Sequence, residues 1–225
     1  PPPPPPPPPP PSLPPPPPLS PRLCRTSGEM ASLLLALFST ARTTRICLPA
    51  RGALRAHPVR LLATERRKLV FLGTPPVAAR SLELLREASL AGEGGGFEIS
   101  AVVSQPAARS GRKKKLTPSP VAQLAEREGI ELLTPVSAKD EDFLKRLEEI
   151  APDLCVTAAY GCFLPQCFLD LPRLGTLNVH PSLLPLYRGA APLQRCLESG
   201  DEVTGVTVAF TVLKMDAGPI LRQET

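Results

Sequence analysis

The sequence contains few of the residues that build metal centres. Only two histidines and six cysteines occur among the 225 residues, and tryptophan is absent. No two cysteines have the Cys-x-x-Cys spacing that structural zinc sites use. We therefore expect no metal site. The four cysteines beyond residue 65 are expected to be buried free thiols, the usual state of unpaired cysteines in apolar surroundings.

Negative charge is missing from one segment near the start. Residues 30–64 contain five arginines and several hydroxyl side chains but no Asp or Glu. This composition is typical of organellar transit peptides, although a disordered basic tail would also explain it. The apolar run at residues 33–38 is too short to cross a bilayer. We predict a transit peptide over residues 30–66 and a mitochondrial destination, with the plastid as the alternative.

Proline dominates the first positions. It fills residues 1–11 without interruption and residues 14–18 again. Such a tract favours an extended polyproline II conformation and cannot form a core. We expect residues 1–29 to be disordered. The first methionine, and therefore the first candidate initiator, is Met30.

The positive charge of the chain does not come from its globular part. The net charge is +5, and the five unopposed arginines of residues 30–64 account for all of it. The rest of the chain is neutral in sum, so its overall charge gives no argument for a nucleic-acid partner.

Residues 67–225 alternate between short apolar runs and amphipathic segments. Strands are predicted at residues 68–72, 97–103, 131–133, 154–159, 175–179, 206–212 and 220–223, and helices at 77–88, 120–128, 140–150 and 191–197. This order predicts an α/β fold, a Rossmann-like doubly wound and mostly parallel sheet. The first turn has a single glycine, Gly73, rather than the Gly-x-Gly-x-x-Gly pattern, which disfavours a nicotinamide cofactor.

Polar residues follow two of the predicted strands, where ligands bind in such sheets. Asn178 and His180 are two positions apart at a strand end, so both side chains project to the same side. An amide donor beside an imidazole suits a reaction with an oxyanion and a mobile proton. Asp216 follows another strand and could orient the imidazole. Taken alone, a histidine at a strand end is more often structural, and a turn-forming role explains Asp216 as well as an orienting role does.

The order of these motifs resembles the formyltransferases that use 10-formyltetrahydrofolate. The similar motifs are Asn-x-His-Pro-Ser-Leu-Leu-Pro from Asn178, Tyr-Arg-Gly from Tyr187, Val-Thr-Gly-Val-Thr from Val203 and Met-Asp-Ala-Gly from Met215. The resemblance extends from about Lys68 to the last residue. It implies the formyltransferase fold, with Asn178, His180 and Asp216 as the catalytic set. It also implies that Ser182, Leu183, Leu184 and Pro185 form the folate-binding loop.

The same resemblance implies a reaction. An amine attacks the formyl carbon carried on N10 of the folate, while Asn178 and protonated His180 stabilise the oxyanion. Asp216 supports the charge of His180, and no metal takes part. The family includes enzymes that formylate the initiator methionyl-tRNA and others that formylate small amines, so the acceptor needs a second argument.

A basic segment bears on the acceptor. Five basic side chains fall within seven positions after the second predicted strand: Arg109, Arg112, Lys113, Lys114 and Lys115. A flexible basic loop there could contact nucleic-acid phosphates, although the charge alone favours a solvated surface loop or a localisation-like run of charge. Together with the following Leu-x-Pro-Ser-Pro-Val, the segment resembles the tRNA-binding insertion of methionyl-tRNA formyltransferases.

These observations lead to one expected activity and two alternatives. We expect formylation of initiator methionyl-tRNA for organellar translation, by a monomer that binds folate and tRNA but no membrane. A folate-dependent formyltransferase acting on a small amine is one alternative, and a non-catalytic truncated isoform is the other. The resemblance implies a second, β-barrel domain, which we expect to be missing, and we expect the catalytic domain at residues 67–225 to be incomplete at its end.

Overall fold

A computed structural model describes residues 66–93, 96–110 and 115–225. The predictions of a disordered segment at residues 1–29 and a transit peptide at residues 30–66 fall, apart from Arg66, outside the described residues. Three members of the basic segment, Arg112, Lys113 and Lys114, also lie outside them. The predictions for these parts of the chain stay predictions.

Strands and helices alternate along the described part, as the sequence predicted. The elements are β1 (Arg67–Gly73), α1 (Pro76–Leu90), β2 (Phe97–Val103), β3 (Ala108–Ser110), β4 (Lys115–Thr117), α2 (Pro120–Arg127), β5 (Leu132–Leu133), α3 (Glu141–Ile150), β6 (Leu154–Ala158), α4 (Gln166–Leu169), β7 (Thr176–His180), α5 (Pro192–Ser199), β8 (Val206–Phe210) and β9 (Ile220–Glu224). Among these helices, none combines the length and apolar character needed to cross a membrane.

Seven of the strands form one sheet in the order β5-β2-β1-β6-β7-β8-β9. The first five run parallel to one another, whereas β8 is antiparallel to β7, and β9 is antiparallel to β8. The predicted mostly parallel sheet is therefore confirmed. Because β8 runs antiparallel to β7, it begins beside His180 and ends beside Leu177, so the turn between β8 and β9 leaves from the start of β7. That turn carries Asp216.

Helices cover both faces of the sheet. One buried cluster includes Leu82 of α1 and Leu124 of α2, and the other includes Leu147 of α3. Phe143 of α3 and Phe168 of α4 stack with their ring centroids 6.2 Å apart in the second cluster. Central strands covered on both faces are apolar along most of their length, which explains the nearly continuous apolar runs of β1 and β6.

Two helices begin at capping residues that the sequence displays. The side chain of Ser119 accepts a hydrogen bond from the backbone N–H of Ala122, and Pro120 occupies the first helical position of α2. The carboxylate of Asp140 accepts in the same way from the N–H of Phe143 at the start of α3. Such side chains satisfy backbone donors that have no partner within the helix.

The described ends of the basic segment form two short strands that the sequence analysis did not predict. The two ends of that segment pair as an antiparallel ribbon, in which Ala108 faces Thr117 and Arg109 faces Leu116. Both strands have only three residues, too few to produce a clear alternation of apolar and polar side chains. We call residues 108–117 the basic hairpin.

The prediction of buried thiols was right for only two of the four described cysteines. Cys155 of β6 and Cys196 of α5 are buried, Cys162 is half-buried, and Cys167 is exposed. Burial raises the pKa of the Cys155 thiol. Cys167 lies on the short helix α4, which the sequence analysis did not predict, and its outward direction could not be read from composition.

Candidate active site

The three polar side chains singled out from the sequence meet at the end of β7. The amide nitrogen Nδ2 of Asn178 donates to Oδ1 of Asp216 over 3.2 Å. The imidazole nitrogen Nδ1 of His180 lies 3.7 Å from Oδ2 of the same carboxylate. Asn178 and His180 stand on β7, and Asp216 reaches them from the turn after β8. The separation of 38 residues between Asn178 and Asp216 in sequence is closed because the turn between β8 and β9 extends back along β7.

A fourth residue, Thr157, determines which way the Asn178 amide points. Its hydroxyl Oγ1 donates to Oδ1 of Asn178 over 2.8 Å. The amide oxygen therefore faces a donor, and the amide nitrogen faces the carboxylate acceptor of Asp216. The sequence analysis missed Thr157. Its signal is a hydroxyl residue in an otherwise apolar strand, and the pairing of β6 with β7 places it directly beside Asn178.

The surroundings of His180 define its tautomer. The residue is 5% exposed, and its nitrogen Nε2 lies 3.0 Å from the backbone carbonyl of Tyr187. Because a carbonyl oxygen only accepts hydrogen bonds, Nε2 carries a proton in this geometry. The second nitrogen, Nδ1, then faces Asp216. A proton taken up at Nδ1 would therefore lie next to a carboxylate.

Asp216 adopts a backbone conformation that few residues tolerate. Its φ angle is +44°, in the left-handed region where aspartate and asparagine are enriched among non-glycine residues. Oδ2 of the carboxylate also accepts a hydrogen bond of 2.7 Å from the N–H of Gly189. The side chain is thus held by donors from two different segments, β7 and the loop that follows it. Residues kept in strained conformations concentrate at functional sites.

The predicted folate-binding residues form a loop that is tied to β8. Ser182 is fully buried, and its hydroxyl donates to the carbonyl of Leu186 over 2.7 Å. Thr207 donates to the carbonyl of Ser182 and accepts from the N–H of Leu184. The hydroxyl of Ser182 is therefore used within the loop. Pro185 is exposed and Leu183 partly exposed, so these two offer the apolar surface.

The basic hairpin leaves the same edge of the sheet. At its base, the hydroxyls of Ser104 and Ser119 are 2.5 Å apart, and Gln105 donates to the carbonyl of Tyr160, just after β6. Arg109 and Lys115, the two predicted tRNA-binding residues that the structure describes, are both exposed.

The chain matches the family described as "Formyl transferase" over residues 67–225, which is more than half of its length. The chain belongs to the formyl transferase family. The match covers Asn178, His180 and Asp216, and it begins with the first strand of the sheet. The family that the motifs predicted is therefore confirmed.

Curated members of the formyl transferase family are similar to this chain at nearly half of the aligned positions. The methionyl-tRNA formyltransferase of Streptomyces avermitilis is 49% identical over 153 residues, which cover 68% of this chain and 47% of that protein. The methionyl-tRNA formyltransferase of Novosphingobium aromaticivorans is 49% identical over 154 residues, which cover 68% and 49%. The chain thus spans about half the length of these relatives.

A solved structure of the formyl transferase family supports the fold. The phosphoribosylglycinamide formyltransferase of Brucella melitensis superposes with a TM-score of 0.56 at 29% identity, covering 71% of this chain and 79% of that protein. In this formyl transferase, no group of three or more His, Cys, Asp or Glu side chains within residues 66–93, 96–110 and 115–225 is arranged to hold a metal ion. An amide donor, an imidazole and a carboxylate are therefore the chemical groups that the described site presents.

Proposed function

We propose that this formyl transferase moves a formyl group from 10-formyltetrahydrofolate to the amino group of initiator methionyl-tRNA. The observation that carries the proposal is the convergence of Asn178 and His180 on Asp216, with separations of 3.2 and 3.7 Å. An amide N–H, a ring able to hold a proton and a carboxylate are the groups that acyl transfer to an amine needs. The curated relatives named methionyl-tRNA formyltransferases support the choice of acceptor.

The folate supplies the formyl group on a nitrogen that leaves with the electron pair of its bond. When the amine bonds to the formyl carbon, the carbonyl electrons move to oxygen, and an oxyanion develops. Asn178 has a second N–H on Nδ2, beside the one that it donates to Asp216. That N–H and a protonated His180 are suited to stabilise the oxyanion. When the intermediate collapses, the carbonyl re-forms, the bond to the folate nitrogen breaks, and the amine proton passes to that nitrogen.

Asp216 acts on the other two residues. Its carboxylate lies within 4 Å of Nδ1 of His180, so a protonated ring that stabilises the oxyanion has a negative charge beside it. It also accepts from Asn178, which keeps the amide N–H groups directed into the site. The partly exposed Leu183 and exposed Pro185 lie beyond His180 on the next loop and suit the flat ring system of a folate.

The basic hairpin is the feature that favours a tRNA acceptor. Its exposed Arg109 and Lys115 flank three further basic residues of the sequence. A short run of cations at the edge of the site would contact phosphates near the end of the acceptor. A small amine, such as the phosphoribosylglycinamide in the name of the Brucella melitensis relative, needs no such extended surface. It is the second candidate acceptor because a solved structure with this fold is named for it.

The proposed destination is the mitochondrion, with the plastid as the alternative. Residues 30–64 are rich in arginine and contain no acidic residue, which is typical of a transit peptide. Formylated initiator tRNA serves translation in organelles of bacterial descent. A fusion of residues 30–66 to a fluorescent protein tests the proposal directly: mitochondrial fluorescence supports it, and diffuse fluorescence contradicts it.

The acceptor is tested by two parallel assays with 10-formyltetrahydrofolate as the donor. One contains charged initiator methionyl-tRNA, and the other contains glycinamide ribonucleotide. Transfer to methionyl-tRNA supports the proposal. Transfer to the ribonucleotide alone would support the proposed formyl transfer and contradict the proposed acceptor. Binding of the donor without transfer to either would support the non-catalytic alternative.

Neutralising the basic hairpin should weaken the use of tRNA without changing the chemical step. Replacing Arg109, Arg112, Lys113, Lys114 and Lys115 with Gln removes five candidate phosphate contacts. We expect KM for methionyl-tRNA to rise at least about tenfold and to depend less on salt, while KM for the folate stays unchanged. The comparison is a variant with Lys139 and Lys145, exposed lysines of the α3 region, changed to Gln. Equal KM values for tRNA in the two variants would contradict the assignment.

Removing the hydroxyl that orients Asn178 should lower kcat. In Thr157→Val, the donor to Oδ1 of Asn178 is lost, so the amide can rotate away from its position. A hydrogen bond of this kind contributes about 1 kcal/mol, and we expect kcat to fall about fivefold. Thr211→Val is the matched control, because the buried hydroxyl of Thr211 has no partner within the described part of the chain. The prediction fails if both valine variants turn over at the same rate.

A further inference from the structure

The loop between β7 and α5 contacts both His180 and Asp216 through its backbone. The carbonyl of Tyr187 faces Nε2 of His180, and the N–H of Gly189 donates to Oδ2 of Asp216. Three residues of this stretch have positive φ angles: Tyr187 at 55°, Gly189 at 86° and Ala191 at 56°. Two of these are not glycine, so the surroundings must hold the loop in an unfavourable conformation.

Arg195, in the first turns of α5, contacts this loop from the side opposite the site. Its Nη2 donates to the carbonyl of Arg188 over 2.6 Å and also contacts the carbonyl of Ala190. Nη2 lies so near the loop that a Cβ added at Gly189 would be 3.5 Å from it. A cation close to the positive end of a helix does not stabilise the helix. The contacts with the loop are therefore the interactions that account for an arginine at this position.

One peptide group connects the two sides. The carbonyl of Arg188 and the N–H of Gly189 belong to the same planar unit, because the peptide bond between them is rigid. Its oxygen accepts from the Arg195 guanidinium, and its N–H donates to the Asp216 carboxylate over 2.7 Å. A cation at the oxygen polarises the peptide and strengthens donation by its N–H. The chain of contacts thus runs from Arg195 through one peptide to Asp216.

We propose that Arg195 is a positioning residue for the active site. It orients and polarises the peptide between Arg188 and Gly189, and this peptide holds the carboxylate of Asp216 against His180. The same anchoring keeps the Tyr187 carbonyl at Nε2 of His180. Arg195 donates to the carbonyls of Arg188 and Ala190, and not to Asn178, His180 or Asp216. Its importance for transfer rests on the proposed function, whereas its effect on Asp216 and His180 is open to direct measurement.

The test uses the 225-residue protein labelled with ¹⁵N and needs no turnover. In Arg195→Met, the Gly189 N–H loses its polarising partner, and we expect its exchange with deuterium to become about tenfold faster or more. We also expect the ¹⁵N signals of the His180 ring to change, assigned by comparison with His180→Asn, since the chain has only one other histidine. Amides of β1 should exchange as before.

Two further variants make the result decisive. Arg173→Met removes an exposed arginine that pairs with Asp153 far from this loop, and it should leave Gly189 and His180 unchanged. If Arg195→Met shows no cooperative melt, Arg195→Lys replaces it, because a single ammonium cannot reproduce the planar contacts of the guanidinium. Unchanged Gly189 exchange and unchanged His180 signals in a folded Arg195 variant would overturn the proposal, whatever the assays of formyl transfer show.

Where transfer is measurable, the same variants separate positioning from a general loss of structure. We expect kcat for formyl transfer to fall about tenfold in Arg195→Met, with little change in KM for either substrate and with partial recovery in Arg195→Lys. Loss of transfer in the unmodified protein would contradict the proposed function and would leave the ring and amide measurements valid. A fall in kcat without any change at Gly189 would contradict the proposed role of Arg195.

Discussion

Replacing His180 with Ala should abolish most of the formyl transfer while the protein stays folded. The substitution removes the imidazole that faces Asp216 at 3.7 Å and with it the proton that would stabilise the oxyanion. Removal of one such donor lowers kcat about 10²–10³-fold in enzymes that stabilise an oxyanion. The rate of transfer to methionyl-tRNA at saturating substrate measures this effect, and a thermal melt shows that the variant is folded.

The matched control for this variant is the other histidine of the chain. His57 precedes the residues that match the family, so His57→Ala should transfer at the rate of the unmodified protein. Asn178→Ala should resemble His180→Ala, because it removes the second oxyanion donor and leaves Oδ1 of Asp216 without its 3.2 Å partner. Normal turnover in a folded His180→Ala protein would exclude the proposed mechanism.

Replacing Gly218 with Ala should destabilise the turn that carries Asp216. A Cβ at this position would lie 1.8 Å from the backbone carbonyl oxygen of Phe210, at the end of β8. Real Cβ atoms never approach a backbone atom so closely, so the turn between β8 and β9 must move. Overpacking against an immovable group costs about 3 kcal/mol. Urea denaturation at 25 °C would measure the loss in the free energy of unfolding.

Gly200→Ala is the control that separates the steric clash at residue 218 from the general effect of replacing a glycine with alanine. Gly200 has a φ angle of +73°, and nothing lies within 4 Å of the position of its added Cβ. The alanine at position 200 is destabilising only because of its left-handed conformation, which costs about 1 kcal/mol. We expect Gly218→Ala to lose clearly more stability and also to lose transfer, since Asp216 lies two residues earlier. Equal losses of stability in the two variants would show that the close approach is not a real constraint.

The architecture was predictable because it depends on local patterns. The apolar runs of β1 and β6 are short and continuous, which is how strands covered on both faces differ from amphipathic helices. Ser119 and Asp140 mark the starts of α2 and α3 through hydrogen bonds that reach only three residues along the chain. The basic hairpin was missed for the complementary reason, since its strands of three residues are too short to show a period.

The sequence by itself determined the residue types of the site, the order of its motifs and the spacing of Asn178 and His180 on one strand. Only the tertiary structure decided what contacts them. Thr157 of β6 contacts Asn178 of the neighbouring strand β7, and the peptide between Arg188 and Gly189 joins Arg195 to Asp216. The physical reason is that a hydrogen bond depends on direction and distance in space. Those quantities follow from sheet pairing and from the antiparallel return of β8, which no local pattern encodes.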